Sequence, residues 1–149
     1  MSARYLGTLT VGLVLGATAW SDDAADKKAV ATLQGTWALV SAERNGKDVD
    51  DLKGHQLAFA GAKFTIKNDG KLIYEGTCQV DAAKKPMTID FKHTADPLKG
   101  KTWKGIFAVD GDTLKTCDNA PNLDKDRPAD FTAKADSGHV LIVFRRIKP

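Results

Sequence analysis

The sequence predicts an all-β chain folded as a single antiparallel up-and-down barrel of about eight or nine strands, with a short N-terminal helix or arm before it. Three observations predict this. Apolar residues recur with period two through most of residues 33–149, the pattern of strands with one face in a core and the other toward water. Turn residues interrupt that rhythm roughly every eight to twelve positions, too often for helices alternating with strands. The stretch opens on Leu33-Gln34-Gly35-Thr36-Trp37 and closes on a basic-ended strand, His139-Val140-Leu141-Ile142-Val143-Phe144-Arg145-Arg146. Trp37 at the start and Arg145 near the end are the expected closing pair, a cation–π stack worth ~0.5–2 kcal/mol.

The elements follow in order. Residues 1–20 read as a secretory signal peptide, with Arg4, an apolar run from Tyr5 to Ala19, and the small residues Ala17-Thr18-Ala19 before the expected cleavage. The run is broken by Gly7, Gly12 and Gly16 and falls short of the ~20 residues that span a bilayer. No permanent membrane anchor is therefore expected, and no Cys follows the run to take a lipid. The expected location is periplasmic or extracellular. Residues 21–32 form an arm or short helix capped by Ser21 or Asp22, and residues 33–149 form the barrel domain, with one further helical turn expected at 48–53.

Within the barrel, Trp37 and Leu39 begin an alternation that continues through Leu57 and Phe59, Phe64 and Ile66, Leu72 and Tyr74, then Cys78 and Val80. Met87, Ile89 and Phe91 alternate cleanly with Thr88, Asp90 and Lys92, so that segment is half buried. Trp103, Phe107 and Val109, then Leu114, Phe131 and the run from Val140 to Phe144 supply the remaining strands. Asn45-Gly46, Asn68-Asp69-Gly70, Asp110-Gly111 and Ser137-Gly138 suit hairpin positions that need positive φ.

Charge and chemistry narrow the function by exclusion. The chain carries 22 Lys and Arg against 19 Asp and Glu, interspersed, without the one-sided basic face of a nucleic-acid binder. His55, His93 and His139 lie far apart and outside any metal-ligand spacing, so no metal and no cofactor is expected. No serine sits in a nucleophile elbow, and Asp136, Ser137 and His139 are near neighbours at a turn where side chains diverge. No catalytic residue is assigned, and the chain is expected not to be an enzyme. Cys78 and Cys117 would meet an oxidising compartment after export, so they form either one disulfide or two separate buried thiols.

Taken together, Leu33-Gln34-Gly35-Thr36-Trp37, Asn45-Gly46-Lys47, Lys84-Lys85-Pro86-Met87-Thr88-Ile89-Asp90, Gly105-Ile106-Phe107, Asp110-Gly111-Asp112-Thr113-Leu114 and Ser137-Gly138-His139-Val140-Leu141-Ile142-Val143 resemble the small exported lipocalin-like domains of unknown function abundant in planctomycete bacteria. The resemblance spans about residues 33–146 and departs from the pattern at Cys78, where an aromatic is usual. It implies a lipocalin-like barrel and export, and it carries no catalytic motif or ligand to any position.

In an up-and-down barrel alternate connections emerge at one end. The connections at 44–54, 68–70, 93–100 and 118–128 are expected together at a long-looped mouth, and those near 60–62, 81–86, 110–112 and 134–138 at the other end. Trp37, Phe59, Tyr74, Phe91, Trp103 and Phe107 are the candidate walls of a cavity behind that mouth. Tyr74 and Trp103 are the stronger candidates, because a buried O–H or indole N–H needs a polar partner that a ligand can supply. The expected function is binding of a small apolar or amphipathic molecule by a monomer. The competing reading is a protein-interaction module of the cell envelope, or a barrel-type protease inhibitor, working through residues 20–32 or the loop 118–128.

Overall fold

A computed structural model of the chain describes residues 17–149. The signal peptide expected over 1–20 lies, for residues 1–16, outside the described residues. The order of elements is α1 (Ala17–Leu33), β1 (Gly35–Arg44), β2 (Lys47–Asp48), β3 (His55–Ala60), β4 (Lys63–Asn68), β5 (Lys71–Asp81), β6 (Met87–His93), β7 (Thr102–Asp110), β8 (Thr113–Asp118) and β9 (Val140–Ile147). Every pairing is antiparallel between neighbours, and β1 pairs with both β3 and β9, so eight strands close on themselves. The ninth, β2, is a two-residue hairpin partner on the end of β1, joined to it through Asn45 and Gly46 at φ 53° and 71°. That is the all-β antiparallel barrel expected from the alternation, and its form is lipocalin-like, as the resemblance implies.

Two irregularities set which residues face inward. Val40 is the extra residue between the Leu39–Phe144 and Ser41–Val143 pairs, and Ile73 is the extra residue between Ile66–Tyr74 and Lys67–Leu72. Each bulge resets the inward phase, so Ala42 and Arg44 in β1 point into the barrel alongside Leu39, and Tyr74 in β5 points in with Gly76 and Cys78.

Below the mouth the barrel is filled by its own side chains. Trp37, Leu57, Phe59, Phe64, Ile89, Phe91, Phe107, Leu114 and Phe144 form one buried cluster, joined from below by Ala29 and Leu33 of α1. The helix is longer than expected and acts as a plug. Trp37 Nε1 donates to the Leu33 carbonyl at 2.8 Å, Gln34 exchanges hydrogen bonds with Gly61 N–H and carbonyl, and Asp26 accepts the Ala82 N–H at 2.7 Å. Among the described residues no helix is long and apolar enough to cross a membrane.

Three expectations need correction, and one open alternative is decided, that of the cysteines. The closing cation–π partner of Trp37 is Arg146, 4.1 Å from the ring centroid, and not Arg145. Register decides this: Trp37 stands opposite Arg146, whereas Arg145 stands opposite Ala38 and faces solvent. Cys78 and Cys117 are two free buried thiols. Cys78 faces the core from β5, while Cys117 faces outward from β8 under Thr132, so the barrel wall separates them. Phe131 belongs to no strand, and 119–139 is one connection. Residues 134–138 therefore emerge at the mouth, where Gly46 N–H donates to the Ala133 carbonyl and Asp136 N–H to Asn45 Oδ1. The turn expected at 48–53 is a hydrogen-bonded bend around Asp50–His55 without a helix.

Candidate functional site

The mouth collects the long connections 45–54, 94–101 and 119–139 with the tight turn at 69–70. Behind it lies a cavity of about 270 Å³, just below the ~300–1,000 Å³ typical of small-molecule sites. Its apolar wall comes from alternate inward positions: Leu39, Leu57, Ile66, Val140, Ile142 and Phe144. Tyr74 and Trp103 form an aromatic side, with ring centroids 5.2 Å apart in an edge-to-face contact. Leu52, Ala120 and Pro121 close over it from two loops.

Of the expected wall residues, Tyr74 and Trp103 line the cavity. Trp37, Phe59, Phe91 and Phe107 do not; they are packed in the filled core below. An inward position alone does not place a ring at the cavity: Phe91 is the cross-strand partner of Trp103, yet it packs with Phe59 and Phe64 in the core. The mouth is lined instead by polar residues that the aromatic pattern did not reveal: Arg44, His55 and Asp118 at strand ends and Asp51 in the turn before β3. A signal for them existed. His55 is in phase with Leu57 and Phe59, and Asp118 with Leu114 and Thr116, so both polar side chains fall on the buried face.

The polar groups differ in how they are held. Arg44 Nη1 and Asp51 Oδ2 form a 2.7 Å ion pair at the rim, and this hydrogen bond holds the Asp51 carboxyl below the usual carboxylate range. Asp118 is 5% exposed and its Oδ1 accepts the Ala120 N–H at 2.9 Å. Burial pushes its carboxyl up to about 7, against the opposing pull of that N–H and of the Arg44 charge. Arg44 and Asp118 occupy one rung of the barrel, each paired with Val140 between them.

Asp118 is rigidly placed. It stands opposite Gly105, where an added Cβ would lie 2.8 Å from the Asp118 Cβ and 2.8 Å from the Cys117 carbonyl oxygen, so only glycine admits this strand approach. The next residue, buried Asn119, accepts the Lys104 N–H at 2.9 Å and donates to the Lys125 carbonyl at 2.8 Å. Arg127 fastens the same connection to the outer wall, donating to the Gly105 carbonyl at 2.8 Å and pairing with Asp90 at 2.7 Å.

Several buried polar atoms here have no hydrogen-bond partner among the described residues: Trp103 Nε1, His55 Nδ1, Arg44 Nε and both ring nitrogens of His93. His93 sits edge-to-face against Phe64, Tyr74 and Trp103 at 5.4, 5.5 and 4.2 Å, and burial depresses its pKa, favouring the neutral ring. An unsatisfied buried donor costs ~1–3 kcal/mol. The Trp103 N–H, beside a cavity, is therefore a place where a guest molecule gains more than the surrounding wall does. Among the described residues no group of three or more His, Cys, Asp or Glu is placed to hold a metal ion. No protein-family model, curated protein or solved structure matches the chain.

Proposed function

We propose that the protein is an exported, non-enzymatic binding protein that holds a small amphipathic molecule in the barrel mouth. One observation carries the reading: a barrel otherwise filled by its own side chains keeps a cavity of about 270 Å³ at its long-looped end, apolar on its walls and polar at its rim. A chain that used its barrel only as scaffold would gain stability by filling that space, since core packing normally leaves few voids larger than a water. The two surfaces offered for the interaction-module reading make specific contacts with the barrel. The inner face of α1 plugs it through Ala29 and Leu33, and the 119–139 connection is fastened through Asn119 and Arg127. Export and kinship with the small lipocalin-like domains rest on the leader-like residues 1–20 and on the motifs of residues 33–146.

Calorimetric titration with 2-naphthol, a small apolar molecule with one polar handle, tests the binding reading. The expected result is saturable one-site binding that Ile142→Trp, which fills the cavity, abolishes while the variant still unfolds cooperatively. Absence of saturable binding, or equal binding by the filled variant, would overturn it. N-terminal sequencing of the protein from a native host tests export, with a start near Trp20 expected.

A further inference from the structure

We propose that the molecule held in the mouth is a small organic ammonium ion with an apolar or aromatic body, its nitrogen seated against Asp118; this rests on the binding reading and specifies its ligand class. The argument is one of uncompensated charge. The charged and titratable groups that line the cavity are Arg44, Asp51, His55 and Asp118. Arg44 and Asp51 neutralise one another through their 2.7 Å pair, whereas Asp118 forms no ion pair among the described residues. With the His55 ring neutral and Asp118 ionised the cavity therefore carries one surplus negative charge, on a side chain only 5% exposed. A buried carboxylate without a countercharge is costly, and a cation entering beside it recovers that cost together with a charge-assisted hydrogen bond.

Geometry fits the body of such a ligand. Asp118 Oδ1 is engaged by the Ala120 N–H, which leaves Oδ2 without a hydrogen bond from any described residue. Trp103 lies on the adjacent strand, diagonal to Asp118 across the Gly105–Asp118 pair and on the same inward face, with Tyr74 against it. Carboxylate and aromatic faces thus border one cavity, the combination that attracts ammonium groups through charge and ring quadrupole together. Burial raises the Asp118 carboxyl toward neutrality in the empty cavity, and a bound cation would draw it back to the ionised form. Arg44 Nε keeps an unused N–H, but its charge is already balanced, so it offers a hydrogen bond to an acceptor on the ligand rather than a seat for an anion.

A charge series on one skeleton tests this. Calorimetric titration of the protein at pH 8 with 2-phenylethylamine, 2-phenylethanol and 3-phenylpropionate should give the amine an affinity at least ~10-fold above the alcohol, as expected for one charge-assisted hydrogen bond, with the acid weakest. Asp118→Asn keeps the acceptor for the Ala120 N–H and should lower the amine's affinity at least ~10-fold, removing its preference over the alcohol. Equal affinity for amine and alcohol, or tightest binding of the acid, would overturn the ammonium assignment while leaving the cavity a binding site. No binding by any of the three would overturn both.

Discussion

Replacing Asp118 by Asn should convert a pH-sensitive stability into a flatter one. Burial raises the folded-state carboxyl from its ordinary 3.8 to about 7, so between those values the folded chain holds a proton that the unfolded chain has released. The stabilising contribution is fully present below about 3.8 and is lost as pH rises toward 7, above which the ionised group costs the fold about 4 kcal/mol at 1.36 kcal/mol per unit. Between pH 5 and pH 8 the wild type should therefore lose about 3 kcal/mol relative to the Asn variant, whose amide does not titrate. Urea unfolding of both proteins at half-unit intervals, read as a difference, cancels the titrations they share. Parallel curves, differing in slope by less than ~0.5 kcal/mol across that window, would refute the claim that Asp118 is buried without a countercharge.

Other outcomes follow from the same structure. Arg146→Ala removes the 4.1 Å stack on Trp37, hydrogen bonds to the Gln34 and Thr32 carbonyls at 2.6 and 2.9 Å, and the Asp112 ion pair; it should cost about 2–3 kcal/mol in urea unfolding. Arg145→Ala, one residue away on the outer face, should cost less than ~0.5 kcal/mol. Cys78 and Cys117, both buried with thiols pushed up to about 11 and about 12, should resist iodoacetamide at pH 8 until the protein is unfolded, and intact mass should be the same with and without reductant. Gly105→Ala drives a methyl against the Cys117 carbonyl and should lower the melting temperature by several degrees and weaken ligand binding together, because it displaces Asp118.

What sequence conveyed and what it did not follows from local against long-range physics. Met87-Thr88-Ile89-Asp90-Phe91 alternates cleanly because β6 has one wet face, and Asn45-Gly46 marks its hairpin because positive φ is a property of the turn alone. The run from Val140 to Phe144 has no alternation to read. The 119–139 connection covers the outer face there, so Leu141 and Val143 are half-buried as well as the inward Val140, Ile142 and Phe144. Phase was thus lost in the strand that holds the closing arginine, and the choice between Arg145 and Arg146 depended on its register with β1. The same cover buries Cys117, which the phase of β8 already places on the opposite side of the wall from Cys78. In the mouth, Tyr74 and Trp103 were legible as aromatic residues with polar handles. Arg44 was not, because the bulge at Val40 alone turns it inward, and the height of Phe91 or Phe107 in the barrel is fixed by pairings that no single strand encodes.

The most direct test of the mouth cavity as the working site is native mass spectrometry of the protein purified from its host, compared with the same sample denatured. The expected result is an adduct of low molecular mass that is retained in the native spectrum, lost on denaturation and missing from Ile142→Trp. A native spectrum that shows only the polypeptide mass, or an adduct unchanged in the filled variant, would contradict it.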